Sequence, residues 1–141
     1  MDKDYVVGLF PMCADVLHTG HIAALKEARA HCDFLILALN THPDGKCPVE
    51  SVYERWTKVH ELRCVDMVVP YQGRKDMELL AATLQYHVRF LGDDYKDKDW
   101  DGKAQEAARG ILPFFMNRSQ HNLSSTALKQ RIVDAQSSSN G

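Results

Sequence analysis

Two histidines separated by a Thr-Gly pair are the first residues that could do chemistry. Residues 15–22 read DVLHTGHI, which places His18 and His21 between a strand-like run, Tyr5–Phe10, and a helical pattern. Residues three apart on a helix share a face, so both imidazoles are expected to point into one site. Gly20 lets backbone approach a ligand closely, and the start of a helix favours a phosphate. The segment therefore predicts a small anion site, and the alternative is a histidine pair that only caps the helix.

A second polar segment near the C-terminus has the same layout. Residues 117–132 read NRSQHNLSSTALKQRI, with Arg118 just after a candidate strand and Ser124, Ser125 and Thr126 opening a candidate helix. Hydroxyl side chains are good helix N-caps, so pure capping is one interpretation. The other interpretation is a polyphosphate site, because an arginine that leads into a helix N-terminus can bind phosphate groups.

Several other catalytic classes are excluded by missing motifs. The chain has no G-x-x-x-x-G-K-[ST], no G-x-G-x-x-G after its first strand and no G-x-S-x-G elbow. Its cysteines, Cys13, Cys32, Cys47 and Cys64, form no C-x-x-C pair, which favours reduced thiols. A metal site formed by Cys13, His18 and His21 is the less favoured alternative.

The elements that would position these residues alternate along the chain. Candidate strands are Tyr5–Phe10, Phe34–Leu39, Met67–Pro70, Val88–Leu91 and Ile111–Phe115, and candidate helices are His21–His31, Ser51–Arg63, Asp76–His87, Lys103–Arg109 and Ser124–Ala135. This alternation predicts a doubly wound α/β fold, a five-stranded parallel Rossmann-like sheet with helices on both faces. Residues 1–135 are expected to form one domain, and residues 136–141 (QSSSNG) a disordered tail.

Three polar segments follow the carboxyl ends of predicted strands. They are the HTGH segment and two long connections, Asn40–Glu50 and Gly92–Gly102. In open α/β sheets ligands bind at that edge, where the strand order reverses. The sequence therefore predicts one site assembled from these segments.

Composition narrows the class of partner. The 141 residues carry a net charge of −2, so there is no basic footprint for nucleic acid. No apolar run is long enough for a membrane span, and the N-terminus lacks the layout of a signal peptide, which predicts a cytoplasmic protein.

Four blocks, in order, resemble the cytidylyltransferase family of the HxGH nucleotidyltransferase superfamily. They are GLF followed by DVLHTGH, then KCPV with ERW and RCVDMVVP, then LGDDY, and last Arg118 with the Ser-Ser-Thr run at 124–126. The likeness is strongest to small glycerol-3-phosphate cytidylyltransferases. It implies transfer of CMP from CTP to a small phosphorylated alcohol, best guess glycerol 3-phosphate, with release of pyrophosphate, Mg²⁺ on the nucleotide and a homodimer.

The resemblance also assigns roles to residues. Catalytic roles fall to His18, His21, Lys46 and Arg118, and nucleotide contacts to Gly8, Leu9, Phe10, Gly20, Arg63, Asp93, Asp94, Ser124, Ser125 and Thr126. On the acceptor side the candidates are Asp15 and, after another strand end, Arg74 and Lys75. Ordinary solvent-exposed charge is the alternative for Lys46, Asp93, Asp94, Arg74 and Lys75, and a cation beside the last carbonyls of a helix is the alternative for Arg63. No protein ligand for a metal is assigned.

The chain departs from the family pattern in three places. Residues 11–14 (PMCA) are an insertion between Phe10 and Asp15, Asn122 stands where glycine is usual, and either His42 or Asp44 takes the place of a family aspartate. The insertion leaves the acceptor open. Phosphocholine and phosphoethanolamine are further choices, for which Tyr71, Tyr95 and Trp100 could supply aromatic walls. An adenylyltransferase acting on a sugar phosphate or cofactor precursor, and a nucleotide-binding module without turnover, are the rival functions.

Overall fold

A computed structural model describes residues 5–117, 130 and 133–135 of the chain. Five strands, four α-helices and a 3₁₀ turn at Asp93–Tyr95, between the fourth strand and the fourth helix, lie within this part. The strands are β1 (Val7–Met12), β2 (Phe34–Asn40), β3 (Met67–Tyr71), β4 (Val88–Gly92) and β5 (Leu112–Met116); the helices are α1 (Thr19–Ala30), α2 (Val52–His60), α3 (Gly73–Thr83) and α4 (Lys103–Ala108).

The sheet is parallel throughout, with strand order β3-β2-β1-β4-β5. Consecutive strands build outward from β1 in one direction and then from β4 in the other, so the order reverses between these two central strands. This confirms the predicted doubly wound fold. Within the described part of the chain, no helix is both long and apolar enough to cross a membrane.

The two central strands separate before they end. β1 pairs with β2 over its whole length, from Val7 to Met12, but pairs with β4 only at Gly8 and Leu9, opposite Val88 and Arg89. Beyond these positions β1 and β4 are free to diverge, and a crevice opens at the carboxyl edge of the sheet. This is the switch point at which doubly wound folds bind ligands.

Apolar side chains pack on both faces of the sheet. One cluster includes Leu25, Val59 and Phe90 and packs α1 and α2 on one face. The other includes Leu9, Ile36, Met77 and Ile111 and packs α3 on the opposite face. The β2 sequence FLILALN is almost wholly buried, as expected for a central strand of a covered parallel sheet.

Element boundaries differ from the sequence predictions in a few places. β1 continues through Pro11 and Met12, so half of the insertion extends the strand instead of forming a loop. α3 begins at Gly73, ahead of the predicted Asp76, whose carboxylate accepts from the Gln72 N–H at 2.8 Å. The last predicted helix, the tail and Asn122 fall mostly or wholly outside the described residues.

Candidate active site

The crevice between β1 and β4 is the mouth of a cavity of about 1340 Å³. Its wall includes Phe10, His18, Gly20, His21 and Lys46, which come from β1, the start of α1 and the loop after β2. The structure therefore brings together the HTGH segment and the lysine loop that the sequence placed at one sheet edge.

The two histidines form the N-terminal cap of α1. His18 is the N-cap residue, and its Nδ1 accepts from the Gly20 N–H at 3.0 Å. His21 stands at the third helical position, and its Nδ1 accepts from the His18 N–H at 3.2 Å. This is a capping box built from imidazoles in place of the usual hydroxyl and carboxyl groups. The rings stack with their centroids 4.0 Å apart.

This geometry sets the tautomer of both rings. Because each Nδ1 accepts from a backbone N–H, the hydrogen of each neutral ring resides on Nε2. Burial lowers the pKa of His18, which is only 8% exposed, and so favours the neutral form. The pair therefore presents Nε2–H donors at a helix N-terminus. The capping interpretation and the anion-site interpretation are compatible, because each ring caps through Nδ1 and carries its N–H donor on Nε2.

The turn before His18 is strained. Ala14 and Val16 have φ values of 56° and 49°, in the left-handed region that side chains with a Cβ rarely adopt. Contacts to the loop after β2 hold this turn in place. The Asp15 carboxylate accepts from the Val49 and Glu50 N–H groups at 2.9 and 3.0 Å, and the Val16 N–H donates to Glu50 Oε1 at 2.8 Å.

Arg55 also holds the loop after β2 in place. Its guanidinium is 1% exposed and donates to four backbone carbonyls: Asn40 at 2.8 Å, Thr41 at 2.8 Å, Cys13 at 3.1 Å and Glu50 at 3.3 Å. These carbonyls belong to the end of β2, the insertion after β1 and both ends of the Lys46 loop. Arg55 belongs to the ERW block of the sequence, and the motifs predicted no role for it.

Two residues expected to contact the nucleotide lie behind the cavity wall. A Cβ on Gly8 would lie 2.4 Å from Phe90 Cε2, so this glycine permits close packing of β1 on Phe90. Leu9 is fully buried in the α3-side core. Phe10, the third residue of the GLF block, does line the cavity.

The charged candidates divide between the cavity and the surface. Lys46 and Asp15 line the cavity, although the Asp15 carboxylate is engaged by the loop amides described above. Exposed Arg63 follows α2 and precedes β3, which puts it at the amino edge of the sheet, opposite the cavity. Arg74 and Lys75 are exposed at the start of α3 and outside the cavity wall, with Arg74 paired to Glu78 at 2.7 Å.

Further predicted residues stand at the cavity mouth or beyond the described chain. Asp93 and Asp94 are exposed on the 3₁₀ turn, between the lining residues Gly92 and Tyr95. Asp44, and not His42, lines the cavity. Outside the described residues lie Arg118, Ser124, Ser125 and Thr126.

A buried polar network that the sequence did not predict adjoins the cavity. Glu106 is 2% exposed and accepts from Tyr86 Oη at 2.5 Å, Trp100 Nε1 at 2.9 Å and Arg89 Nη1 at 3.0 Å. Arg89 stands on the cavity wall at the last position where β1 and β4 pair. The sequence signal for this network is Arg89, a charged residue among the apolar residues of the strand VRFLG.

Comparison with known proteins identifies the family. The cytidylyltransferase-like family matches residues 9–131. The bifunctional protein HldE of Shewanella sp. is 34% identical over 134 residues, 88% of this chain, and HldE of Granulibacter bethesdensis is 35% identical over 99 residues, 66% of this chain. The matched regions are only 27% and 20% of those proteins, so the chain spans about a quarter or less of their length.

The fold has a structural counterpart as well. The lipopolysaccharide core biosynthesis protein of Thermoplasma volcanium superposes with a TM-score of 0.64 at 22% identity, over 79% of this chain and 97% of that one. That likeness shows a shared fold. The sequence matches show that the chain belongs to the cytidylyltransferase-like family, within the HxGH nucleotidyltransferase superfamily.

Proposed function

We propose that this chain is an adenylyltransferase that joins ATP to a sugar phosphate. An oxygen of the acceptor phosphate attacks the α-phosphorus, the bond from that phosphorus to the bridging oxygen breaks, and pyrophosphate leaves with the electron pair. The products are an ADP-sugar and pyrophosphate. No external base is needed, because a phosphomonoester is already largely ionised near neutral pH.

The observation that carries the proposal is the histidine capping box at the start of α1. It orients two Nε2–H donors, a helix N-terminus adds partial positive charge, and Lys46 stands on the same cavity wall. During transfer, negative charge builds on the oxygens around the α- and β-phosphorus atoms. Donors fixed in advance at those oxygens stabilise the transition state more than the ground state.

The choice of ATP over CTP as the nucleotide is based on the similar proteins. The sequence resemblance gave CTP and glycerol 3-phosphate as the main interpretation and an adenylyltransferase for a sugar phosphate as the alternative. The matches to HldE proteins favour that alternative. CTP thus becomes the second candidate nucleotide, to be compared directly with ATP.

Mg²⁺ is expected to enter with the nucleotide. Among the described residues, no three histidine, cysteine or acidic side chains are grouped to hold a metal ion. The Asp15 carboxylate, the acidic group nearest the histidine pair in sequence, is engaged by two amides. Phosphate oxygens and water would therefore supply most of the Mg²⁺ ligands, and the ion would help to neutralise the leaving pyrophosphate.

Pyrophosphate release is the direct test. ATP and CTP should each be supplied with Mg²⁺ and a panel of phosphomonoesters: several hexose and heptose phosphates, glycerol 3-phosphate, phosphocholine and phosphoethanolamine. We expect the fastest release with ATP and a sugar phosphate. Faster release with CTP would overturn the nucleotide assignment, and no release with any pair would favour a binding module without turnover.

Two substitutions separate capping from catalysis. His18→Asn and His21→Gln replace the imidazoles with side chains that are themselves preferred at the N-cap and third helical positions. Each should keep the stability within about 1 kcal/mol and lose about 10²–10³ in kcat, the usual effect of removing one transition-state donor. Loss of stability with full turnover would instead mean that the histidines act only as caps.

A further inference from the structure

The cavity extends to both faces of the sheet. On the α1 face its wall includes Ala24 and Phe90, together with His18 and His21, which the resemblance assigns to the phosphates of the nucleotide. On the α3 face the wall is formed by a second group of residues, here called the polar lobe: Asn40, Tyr71, Arg89, Trp100 and Asp101. Among these residues, only Tyr71 and Trp100 had a possible role predicted from the sequence, as aromatic walls for a cationic acceptor.

The polar lobe contains hydrogen-bonding atoms that lack protein partners. Within the described part of the chain, Asn40 Oδ1 and Arg89 Nε are buried and make no hydrogen bond. One is an acceptor and the other a donor, both on residues of one cavity wall. Unpartnered buried polar groups are rare and costly in folded proteins, and these two atoms belong to side chains that line the cavity.

Arg89 and Tyr71 are held in place around these atoms. Arg89 Nη1 donates to Glu106 Oε2 at 3.0 Å and to the Asp101 carbonyl at 3.2 Å, which fixes a guanidinium that is 6% exposed. Burial raises the pKa of Tyr71 to about 12, so its hydroxyl stays neutral, and the Asn40 amide hydrogen-bonds to it. The lobe is a rigid array of donors and acceptors, as a binding site for hydroxyl groups requires.

The charged side chains around the lobe are already paired within the protein. Arg74 lies 3.9 and 3.8 Å from the carboxylates of Asp99 and Asp101, and Arg89 Nη1 lies 3.0 Å from Glu106 Oε2. A neutral hydroxyl group can bind beside these ion pairs without replacing either partner.

We infer that the polar lobe binds the hydroxyl groups of the acceptor's sugar, with Tyr71, Asn40 and Arg89 as the specificity-determining residues. This inference rests on the proposed function, since it places the second substrate of that reaction. The acceptor's phosphate would then reach the histidine pair where the two sides of the cavity meet, above the end of β1.

Tyr71→Phe and Asn40→Ala test the assignment, with Tyr53→Phe as the matched control. Tyr53 lies on α2 and is 77% exposed. Loss of one neutral hydrogen bond should raise the KM for the sugar phosphate by about 10-fold, while the KM for ATP stays within about 2-fold. Methyl phosphate, which has no sugar hydroxyl groups, should not distinguish either variant from the wild type. A rise in the KM for ATP alone would assign the lobe to the nucleotide instead.

A binding measurement separates this inference from the proposed function. Calorimetry with a non-hydrolysable ATP analogue and the sugar phosphates of the panel, glucose 1-phosphate included, requires no turnover. Weaker binding by Tyr71→Phe in the absence of any turnover would refute the proposed reaction and uphold the lobe. Turnover and binding that are unchanged in both variants would uphold the reaction and overturn the lobe, as would binding by none of the sugar phosphates or preferred use of phosphocholine.

Discussion

Arg55 should be the residue on which the shape of the site depends most, and Arg55→Met tests this. Methionine fills similar space but removes four donors to backbone carbonyls, three of them at 3.1 Å or less. Hydrogen bonds from a charged donor contribute about 1.5–3 kcal/mol each. The simple sum overstates the effect, because water can reach the loop carbonyls and removal of the buried cation also removes its desolvation cost.

We expect Arg55→Met to lower the free energy of unfolding by about 3–5 kcal/mol, as when one partner of a buried charged contact is deleted. For a chain of 141 residues this corresponds to a fall in Tm of about 10–15 °C. The measurements are urea unfolding and calorimetry at pH 7.5. Arg63→Met is the matched control, since Arg63 is exposed just past the same helix, and it should stay within about 0.5 kcal/mol of wild type.

Arg55→Lys refines the same prediction. An ammonium keeps the charge but lacks the planar fork that reaches carbonyls from two strand ends at once. Its stability should fall between those of the wild type and Arg55→Met, and kcat/KM should fall about 10–100-fold as the Lys46 loop loses its alignment. The free energy of unfolding of Arg55→Met should therefore fall well below that of Arg63→Met. A difference of less than about 1 kcal/mol between the two variants would show that the guanidinium does not fix the loop.

Three further predictions concern the core, the strained turn and pH. Gly8→Ala should cost about 1–3 kcal/mol in unfolding experiments, because the new methyl would lie 2.4 Å from Phe90 Cε2; unchanged stability would contradict this packing. Asp15→Asn should speed amide exchange at Val49 and Glu50, since an amide side chain can accept from only one of their N–H groups; protection equal to wild type would exclude that role. His18 has a lowered pKa in the folded state, so the unfolded chain binds the extra proton more readily and stability should fall as pH drops below the unfolded value of 6.5. His18→Asn should remove that part of the pH dependence in urea titrations from pH 7.5 to 5.5, and an unaltered profile would show that other groups cause it.

Most of the fold could be predicted from the sequence because the relevant signals are local. Residues 34–39 (FLILAL) are apolar throughout, which is typical of a strand covered on both faces. The parallel alternation then leaves few topologies. The HTGH segment was placed at a helix start by the same reasoning, and the structure puts it there with both histidines in the cap.

The contents of the site were harder to predict because they depend on contacts between distant segments. Arg55 contacts Cys13, 42 positions earlier, and a solvent-exposed helical arginine would look the same in the sequence. Gly8 and Leu9 were expected to bring backbone N–H groups near the nucleotide because the resemblance marks the whole GLF block. The structure adds that strand alternation turns the Leu9 side chain to the α3-side core. Arg63 was expected near the nucleotide from the resemblance, and the structure has it between α2 and β3, where the chain passes the amino edge of the sheet.

The insertion at residues 11–14 takes part in positioning the histidine pair and Lys46. It lengthens β1 past the point where its pairing with β4 stops, and its last residue begins the strained turn that leads to His18. A turn with two residues at positive φ is unstable alone, yet here Asp15 and Val16 bind the loop that carries Lys46, and Arg55 binds the carbonyl of Cys13 in the insertion. The histidine pair and the lysine are thus positioned by the same set of contacts. A change at any one of them should move both groups relative to the phosphates, and effects of Asp15 and Arg55 substitutions on kcat should therefore be less than additive.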